Sequence, residues 1–170
     1  MSDKNYDKYM PIIPLRGLTV FPDMLLSFDA GRDRTLNAIN EAAERDQLCF
    51  LITQKDAQLG EVTPQDLYEV GTVARIKQVL RLQGESVRVF AEGIARGRID
   101  RYIRHVPYFE GMILAQPTAL MQDDLLREAM ARKLREAFEE YGHASGKVGS
   151  EFVLSALADE QVGKLCDAIA

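Results

Sequence analysis

The chain has 170 residues, of which 46% are hydrophobic and 28% are charged. Both fractions are close to the averages of globular proteins, so most of the chain is predicted to fold around a core. The net charge of −5 argues against a dedicated nucleic-acid-binding protein, and no apolar run approaches the roughly 20 residues that cross a bilayer. The polar start also excludes a secretory signal peptide, so we predict a cytoplasmic protein without a membrane partner.

The first part of the chain predicts short strands and one helix. Residues 1–9 are polar and are predicted to be flexible. The predicted strands lie at 10–15, 24–28 and 48–53. The first contains two prolines, which favour an edge position or the first residues of a strand. The last is apolar almost throughout, as expected for a strand covered on both faces. Between Arg32 and Arg45 the apolar residues recur at spacings of three and four, which predicts an amphipathic helix.

Three further strands are predicted between Val70 and Ile103, and they carry most of the positive charge. Residues 75–104 contain eight basic and three acidic side chains, a local charge of +5. Apolar and polar residues alternate here, which predicts one buried and one exposed face. Gly93 is predicted to break the second strand. The residues predicted to face the core are Ala74, Ile76, Leu80, Leu82, Val87, Val89, Ala91, Ile99 and Ile103.

After a last predicted strand at 109–115, the sequence becomes helical. Thr118 is predicted to cap a helix that ends near Tyr141, and the glycines and serines of 142–150 predict a flexible connection. Two short helices are expected at 151–158 and 160–170. Asp159 is predicted to begin the second of them, which has no stop signal, so we expect the chain to be truncated within its helical part.

Residue types that support catalysis or metal binding are scattered. The two cysteines, Cys49 and Cys166, and the two histidines, His105 and His143, are far apart in the sequence. A zinc site needs four clustered ligands, and a disulfide framework needs more cysteines. The sequence also lacks the Gly-x-x-x-x-Gly-Lys-Ser/Thr loop that cradles phosphate. We therefore predict no catalytic residue, no metal site and no cofactor in this chain.

An ordered set of short motifs between Met10 and Pro117 resembles one known family. The motifs are Pro14-Leu15-Arg16, Val20-Phe21-Pro22, Gly31-Arg32, Glu69-Val70-Gly71-Thr72-Val73-Ala74, Glu92-Gly93, and Arg96 followed by Arg98-Ile99. In this order they are similar to the N-terminal domain of Lon, the ATP-dependent serine protease. The later helices resemble the helical stretch that follows this domain in bacterial Lon.

The resemblance implies an α+β fold in two parts. Residues 10–117 would form a PUA-like pseudo-barrel of mostly antiparallel strands with one packed helix, and residues 118–170 would begin an α-helical subdomain. The implied role is to recognise unfolded or damaged proteins and to assemble an oligomer, as in protein quality control. The ATPase of the family, with its ATP and Mg²⁺, and its serine protease would lie beyond this chain, which by itself is expected to have no enzymatic activity.

Two surfaces are candidates for contact with substrate proteins: an apolar loop and the polar start of the predicted helix. The residues are Val20, Phe21 and Met24 in the loop, and Arg32, Asp33 and Arg34 at the helix start. Apolar side chains on a loop over a rigid scaffold can act as anchors. The alternative for the loop residues is that they pack into the core.

Two other functions stay open. The basic strands are also compatible with a PUA-like domain that binds nucleic acid, although we favour arginines that cover the exposed face of a sheet with their stems. Only Phe90 and Tyr102 are interleaved with these arginines, whereas base stacking needs several aromatic residues. The last alternative is a stand-alone LON-domain protein that binds a small ligand.

Overall fold

The computed structural model describes residues 6–117, 123–158 and 161–170. The chain divides into two compact units, Met1–Pro117 and Thr118–Ala170, and each is described by itself. Within the described residues no helix is both long enough and apolar enough to cross a membrane.

The described part of the first unit is a six-stranded sheet with one α-helix and a short 3-10 turn at Pro64–Asp66. Its main elements are β1 (Lys8–Leu15), β2 (Leu25–Ala30), α1 (Asp33–Glu44), β3 (Leu48–Thr53), β4 (Val70–Arg81), β5 (Val87–Arg104) and β6 (Phe109–Ala115). This mixture of strands and helix confirms the predicted α+β class.

Five of the strands close into a hydrogen-bonded ring. The sheet order is β2-β5-β4-β3-β1-β6, and β5 also pairs with β6. The long strand β5 reaches both neighbours because its first half, Val87–Glu92, pairs with β2 and its second half, Gly97–Arg104, pairs with β6. Among the described pairs only β1 with β3 is parallel, and α1 lies in the long connection that such a pair requires.

The continuous strand β5 corrects the prediction of two strands divided at Gly93. β5 contains 18 residues, and Gly93 pairs with Ala74 of β4. A Cβ atom at Gly93 would lie 2.2 Å from the carbonyl oxygen of Phe21. Another segment of backbone therefore requires this glycine by its close approach, and no strand ends there.

β1 is a strand of the ring with a neighbour on each side, although its prolines predicted an edge position or the first residues of a strand. It pairs with β6 over Lys8–Ile12 and with β3 over Ile12–Leu15. Pro11 therefore has a strand partner on one side only, and so does Pro14, which leaves a side where the missing N–H group breaks no ladder bond. The strand includes two residues of the stretch predicted to be flexible, and residues 1–5 of that stretch lie outside the described residues.

A β-bulge in β4 changes which side chains face the core. The pairing with β5 shifts between Ile76 and Gln78, so Lys77 is an extra residue. Beyond this shift Leu80 and Leu82 are 40% and 36% exposed, whereas the alternation in the sequence predicted both in the core. A one-residue bulge moves every following side chain to the opposite face, and this explains the error.

The second half of β5 repeats this effect. Its pairing with β6 shifts between Ile99 and Arg101 and again between Tyr102 and Arg104. Ile99 is buried as predicted, but Ile103 is 50% exposed. The prediction for Ile103 is wrong for the same reason as that for the end of β4.

The sheet separates two buried clusters, and β1 and β3 contribute to both. Cys49 and Leu51 of β3 pack in the cluster that contains α1, and Phe50 and Ile52 pack in the other. All four side chains are at most 1% exposed. This confirms the prediction that residues 48–53 form a strand covered on both faces.

The second unit consists, in its described part, of three helices: α2 (Asp124–Ser145), α3 (Ser150–Leu157) and α4 (Val162–Ile169). The Asp123 side chain caps α2 by accepting a hydrogen bond of 3.0 Å from the Leu126 N–H. α2 passes through Gly142, where it was predicted to stop. A Cβ atom at Gly142 would lie 2.7 Å from a side-chain carbon of Val153, so the close packing of α3 is what requires glycine here. The helix ends at Gly146, in the left-handed conformation. The predicted caps at positions 118 and 159 lie outside the described residues.

Candidate functional site

The loop before β2 is held against β5 by backbone hydrogen bonds. The Asp23 N–H donates to the Gly93 carbonyl at 2.9 Å, and the Gly93 N–H donates to the Met24 carbonyl at 2.8 Å. The Thr72 hydroxyl donates to the Val20 carbonyl at 2.5 Å. Asp23 adopts a φ of +64°, a conformation in which Asn and Asp are enriched. The loop is therefore a fixed part of the surface of the sheet.

Only part of the predicted apolar loop surface is accessible. Val20 is 6% exposed and belongs to the core cluster under α1, so its side chain cannot contact a partner, and it follows the alternative of core packing. Met24 is half-buried against the same cluster. Phe21 is half-buried and remains the candidate anchor of this loop.

The start of α1, the second predicted surface, borders a cavity of about 660 Å³. Arg32, Asp33 and Arg34 line it together with Arg16, which comes from the segment after β1. The structure therefore brings the three predicted residues together with a third arginine from elsewhere in the sequence. We call this space the α1 cavity.

Hydrogen bonds to the protein hold the three guanidinium groups of the α1 cavity. Arg16 donates to the Leu59 carbonyl at 3.0 Å, and Arg34 donates to the Val62 carbonyl at 2.7 Å. Arg32 donates to the side-chain oxygen of Gln54 at 3.2 Å. The Arg34 guanidinium also lies over an aromatic ring of the core, 4.5 Å from its centroid. Within the described residues none of the three forms an ion pair with a carboxylate.

A third surface, the outer face of β2, β5 and β4, exposes apolar side chains. The strand register places Leu25 beside Glu92, Ser27 beside Phe90, and Asp29 beside Arg88 across β2 and β5. Gln78 and Leu80 of β4 continue this face on the other side of β5. We call these residues the β2–β5–β4 face.

Three apolar residues lie diagonally across the β2–β5–β4 face. Leu25 is 75% exposed, Leu80 is 40% exposed and Phe90 is 36% exposed. Phe90 lies in the central strand, two positions along the strand from the partner of each leucine. Diagonal neighbours on one sheet face are close enough for large side chains to touch.

Ion pairs border these apolar residues. Arg88 binds the two carboxylate oxygens of Asp29 at 2.7 and 2.8 Å, and Lys77 lies 2.5 Å from Glu92. The hydrogen bond from Arg88 holds the pKa of Asp29 below its usual value. Both pairs are solvent-exposed, so they contribute little to stability, but they keep this face soluble around its apolar centre.

The sequence analysis missed the β2–β5–β4 face. Leu80 was assigned to the core because the bulge cannot be seen in the sequence. Phe90 carried a readable signal, since it falls between Val89 and Ala91, which were both correctly predicted to face the core, and so had to point outward. Together with Leu25 and Leu80 it forms an exposed apolar patch, and such a patch indicates a contact surface.

Two of the groups that could support chemistry are a buried thiol, Cys49, and a paired carboxylate, Glu110. Burial, and then the charge of Asp46, raise the pKa of Cys49 to about 12, so its thiol stays protonated and unreactive near neutral pH. The buried Glu110 lies 2.6 Å from Arg45 and 3.4 Å from Arg104, a structural ion pair. In the described ranges no group of three or more His, Cys, Asp or Glu could hold a metal ion.

Comparison with known proteins identifies the family. The sequence model of the family described as "ATP-dependent protease La (LON) substrate-binding domain" matches residues 9–170. The chain belongs to this family. The resemblance drawn from the ordered motifs is thus confirmed over nearly the whole chain, including the helical part.

Relatives of the LON substrate-binding family are considerably longer than this chain. The chain is 41% identical over 163 residues to the Lon protease of Desulforamulus reducens, which covers 96% of the chain and 20% of that protein. It is 40% identical over 173 residues to the Lon protease of Clostridium acetobutylicum, which covers 99% of the chain and 22% of that protein. The chain therefore spans about a fifth of the length of these relatives.

A solved structure shows the same fold. The N-terminal domain of the Mycobacterium avium complex Lon protease superimposes with a TM-score of 0.57 at 20% identity. The match covers 95% of this chain and 96% of that one.

Proposed function

We propose that this chain is the substrate-recognition and assembly part of an ATP-dependent Lon-type protease, and that it holds unfolded or damaged proteins for degradation. ATP hydrolysis, with its Mg²⁺, and peptide cleavage belong in this proposal to parts of a longer protein outside this chain. The chain itself then has no enzymatic activity. The observation that carries the proposal is the exposed apolar β2–β5–β4 face on a domain whose family is described as substrate-binding.

The chemistry of the β2–β5–β4 face suits unfolded segments. A folded protein buries most of its large apolar side chains, whereas an unfolded one presents them together with its backbone. Leu25, Leu80 and Phe90 offer an apolar surface to such side chains. Burial of one large side chain contributes about 1.5–3 kcal/mol at most, so a few contacts give the weak, exchangeable binding that a recognition domain needs.

The edge of β2 favours extended segments in particular. Within the described residues β2 pairs with β5 on one side and has no strand on the other. An open strand edge can accept an extended peptide as an additional strand, in which the backbone provides affinity and alternate side chains provide specificity. A peptide added beside β2 would place alternate side chains next to Leu25, on the β2–β5–β4 face.

The direct test compares one protein in its folded and its denatured state as a ligand. The purified chain should bind the denatured form at high micromolar concentration and leave the folded form unbound. If the chain bound the two forms equally, or bound neither form, the recognition role would be refuted and only the assembly role would remain.

Matched variants locate the contact. Phe90→Ser and Leu25→Ser should each weaken binding of the denatured protein about fivefold or more, since each removes roughly 1 kcal/mol or more of apolar contact. Ile103→Ser is the control, because Ile103 is 50% exposed but lies near the other end of β5. An equal loss in the control would point to general stickiness and away from this face.

The nucleic-acid alternative is disfavoured because carboxylates already engage much of the basic strand charge. Lys77, Arg88, Arg101 and Arg104 each pair with a carboxylate at 3.4 Å or less. Binding to RNA or DNA would weaken steeply as salt rises. A steep salt dependence with a single-stranded oligonucleotide would reinstate this alternative.

The length of the relatives and an experiment on a full-length enzyme distinguish the assembly role from the stand-alone alternative. The chain spans a fifth of its relatives, which favours a role inside a larger enzyme. If the first unit assembles the oligomer, its removal from such an enzyme should give particles with fewer subunits in sedimentation. Particles of unchanged stoichiometry would refute the assembly role.

A further inference from the structure

The α1 cavity has the size and the donors of a ligand site, and the proposed recognition of unfolded proteins does not use it. Its volume of about 660 Å³ falls in the range of small-molecule pockets, roughly 300–1,000 Å³. It is lined by polar groups at the helix start and by apolar residues such as Pro14 and Val106. Such a mixture suits a small organic ligand better than a protein surface.

Positive charge dominates the α1 cavity. Its lining includes Arg16, Arg32 and Arg34 but only two carboxylates, those of Asp33 and Glu61. No carboxylate pairs with any of the three arginines in the described part of the chain. A guanidinium has five N–H donors, and the contacts to the protein use only some of them. The remaining donors can bind an oxyanion.

The guanidinium groups are held in place before any ligand arrives. The Arg34 group is fixed both by its bond to the Val62 carbonyl and by the aromatic ring beneath it. Arg16 donates to two successive carbonyls, those of Leu59 and Gly60, at 3.0 and 3.3 Å. A donor that is already ordered loses less entropy on binding, which favours the bound state.

The Thr35 hydroxyl and the first N–H groups of α1 are further donors at this end of the helix. Thr35, which lines the cavity and is 8% exposed, makes no hydrogen bond through its hydroxyl to any described residue. Arg32, the N-cap residue, makes no side-chain hydrogen bond to the helix, so the first N–H groups of α1 have no side-chain cap. Uncapped N–H groups and the helix dipole both favour an anion at this end.

We propose that the α1 cavity binds a small organic anion that carries phosphoryl or carboxylate groups. Arg16, Arg32 and Arg34 bind the oxygens, and the Thr35 hydroxyl and the first N–H groups of α1 complete the site. The apolar lining contacts the remainder of the ligand. The site lies on α1 and the segments around it, separate from the β2–β5–β4 face, and it gives the domain a means to respond to a metabolite.

The test is a titration of the ¹⁵N-labelled chain with pyrophosphate and, separately, with citrate. Either anion should give saturable shifts confined to the amides of residues 33–37 and 59–62. Saturation by pyrophosphate alone assigns the site to phosphoryl ligands, and saturation by citrate alone assigns it to carboxylates. No saturation by either anion at millimolar concentration, or shifts spread over the basic strands, would overturn the proposal.

Charge variants with opposite expected effects complete the experiment. Arg32→Gln should weaken binding about tenfold or more, as expected for loss of a charged hydrogen bond. Glu61→Gln removes a negative charge from an exposed part of the lining and should tighten binding, so it remains informative if the arginine variant folds poorly. Arg98→Gln, a charge loss on exposed β5, should leave affinity unchanged. An Arg98→Gln effect equal to that of Arg32→Gln, or no tightening by Glu61→Gln, would refute the site.

Discussion

Gly93→Ala should destabilise the first unit, because Gly93 is where the loop before β2 meets β5. A Cβ atom there would lie 2.2 Å from the carbonyl oxygen of Phe21 and 3.2 Å from a side-chain carbon of Thr72. The Phe21 oxygen at 2.2 Å is a backbone atom, which cannot rotate away as a side chain can. The loop must therefore move away from β5.

The cost follows from the contacts that this movement breaks. The loop and Gly93 share two backbone hydrogen bonds, of 2.9 and 2.8 Å, and each contributes about 1 kcal/mol. Met24 also loses part of its packing on the core. The lower entropy of unfolded alanine returns about 0.4–1 kcal/mol. We expect a net loss of about 2–4 kcal/mol in the free energy of unfolding.

A buried thiol offers an assay specific to this unit. In a Cys166→Ala background, Cys49 is the sole cysteine, and it is fully buried in the core beside α1. The fraction of Cys49 that a thiol reagent modifies at each urea concentration then reports unfolding of the first unit alone. With a urea dependence of about 2 kcal/mol per molar, the middle of the usual range, Gly93→Ala should lower the midpoint of urea unfolding by roughly 1–2 M.

The matched control is Gly60→Ala. A Cβ atom at Gly60 meets nothing within 4 Å, and its φ does not lie in the left-handed region. This variant should leave the midpoint unchanged or raise it slightly. If Gly93→Ala behaved like Gly60→Ala, the close approach of the loop would not be what requires glycine in β5.

Two further predictions concern buried ionisable groups. Burial raises the pKa of Cys49 from 9.0 to about 12, so at high pH the folded state keeps a proton that the unfolded state loses. The contribution of this protonated thiol to the free energy of unfolding is complete below pH 9 and falls between pH 9 and 12. Alkaline denaturation of Cys49→Ala should therefore show a shallower loss of stability, by up to about 1.4 kcal/mol per pH unit, whereas an identical slope would contradict the burial argument. Glu110→Gln should cost about 1–3 kcal/mol in thermal or urea unfolding because it leaves Arg45 without its buried carboxylate, while Asp100→Asn, in an exposed pair, should change stability by less than about 0.5 kcal/mol.

The candidate surfaces could be predicted only in part. The start of α1 was identified from its sequence, but Arg16 reaches the same cavity from the end of β1, and a sequence does not show that approach. The apolar loop was also identified, but core packing of Val20 follows from where the chain folds over it. Leu80 was assigned to the wrong side of the sheet. Each difference arises from a contact between residues far apart in the chain.

Features that depend only on neighbours in the chain could be predicted from the sequence. The period of apolar residues predicted a helix at 32–45, which the structure has at 33–44. The apolar run predicted the doubly covered strand at 48–53. Both predictions work because side-chain direction repeats with local backbone geometry. The ordered motifs were sufficient to recognise the family. These features need no knowledge of which strands pair.

Strand register, closure of the ring and the requirement for glycine in β5 depend on which distant segments meet in the folded chain. The bulge at Lys77 exists only against β5, and it alone moves Leu80 from the core to the surface. The requirement for glycine at position 93 of β5 likewise depends on the loop that crosses it. A side chain's face depends on pairing, pairing depends on distant segments, and a one-residue shift reverses the face of every residue that follows. Of the apolar residues proposed to bind substrates, Leu80 reaches the β2–β5–β4 face through that shift.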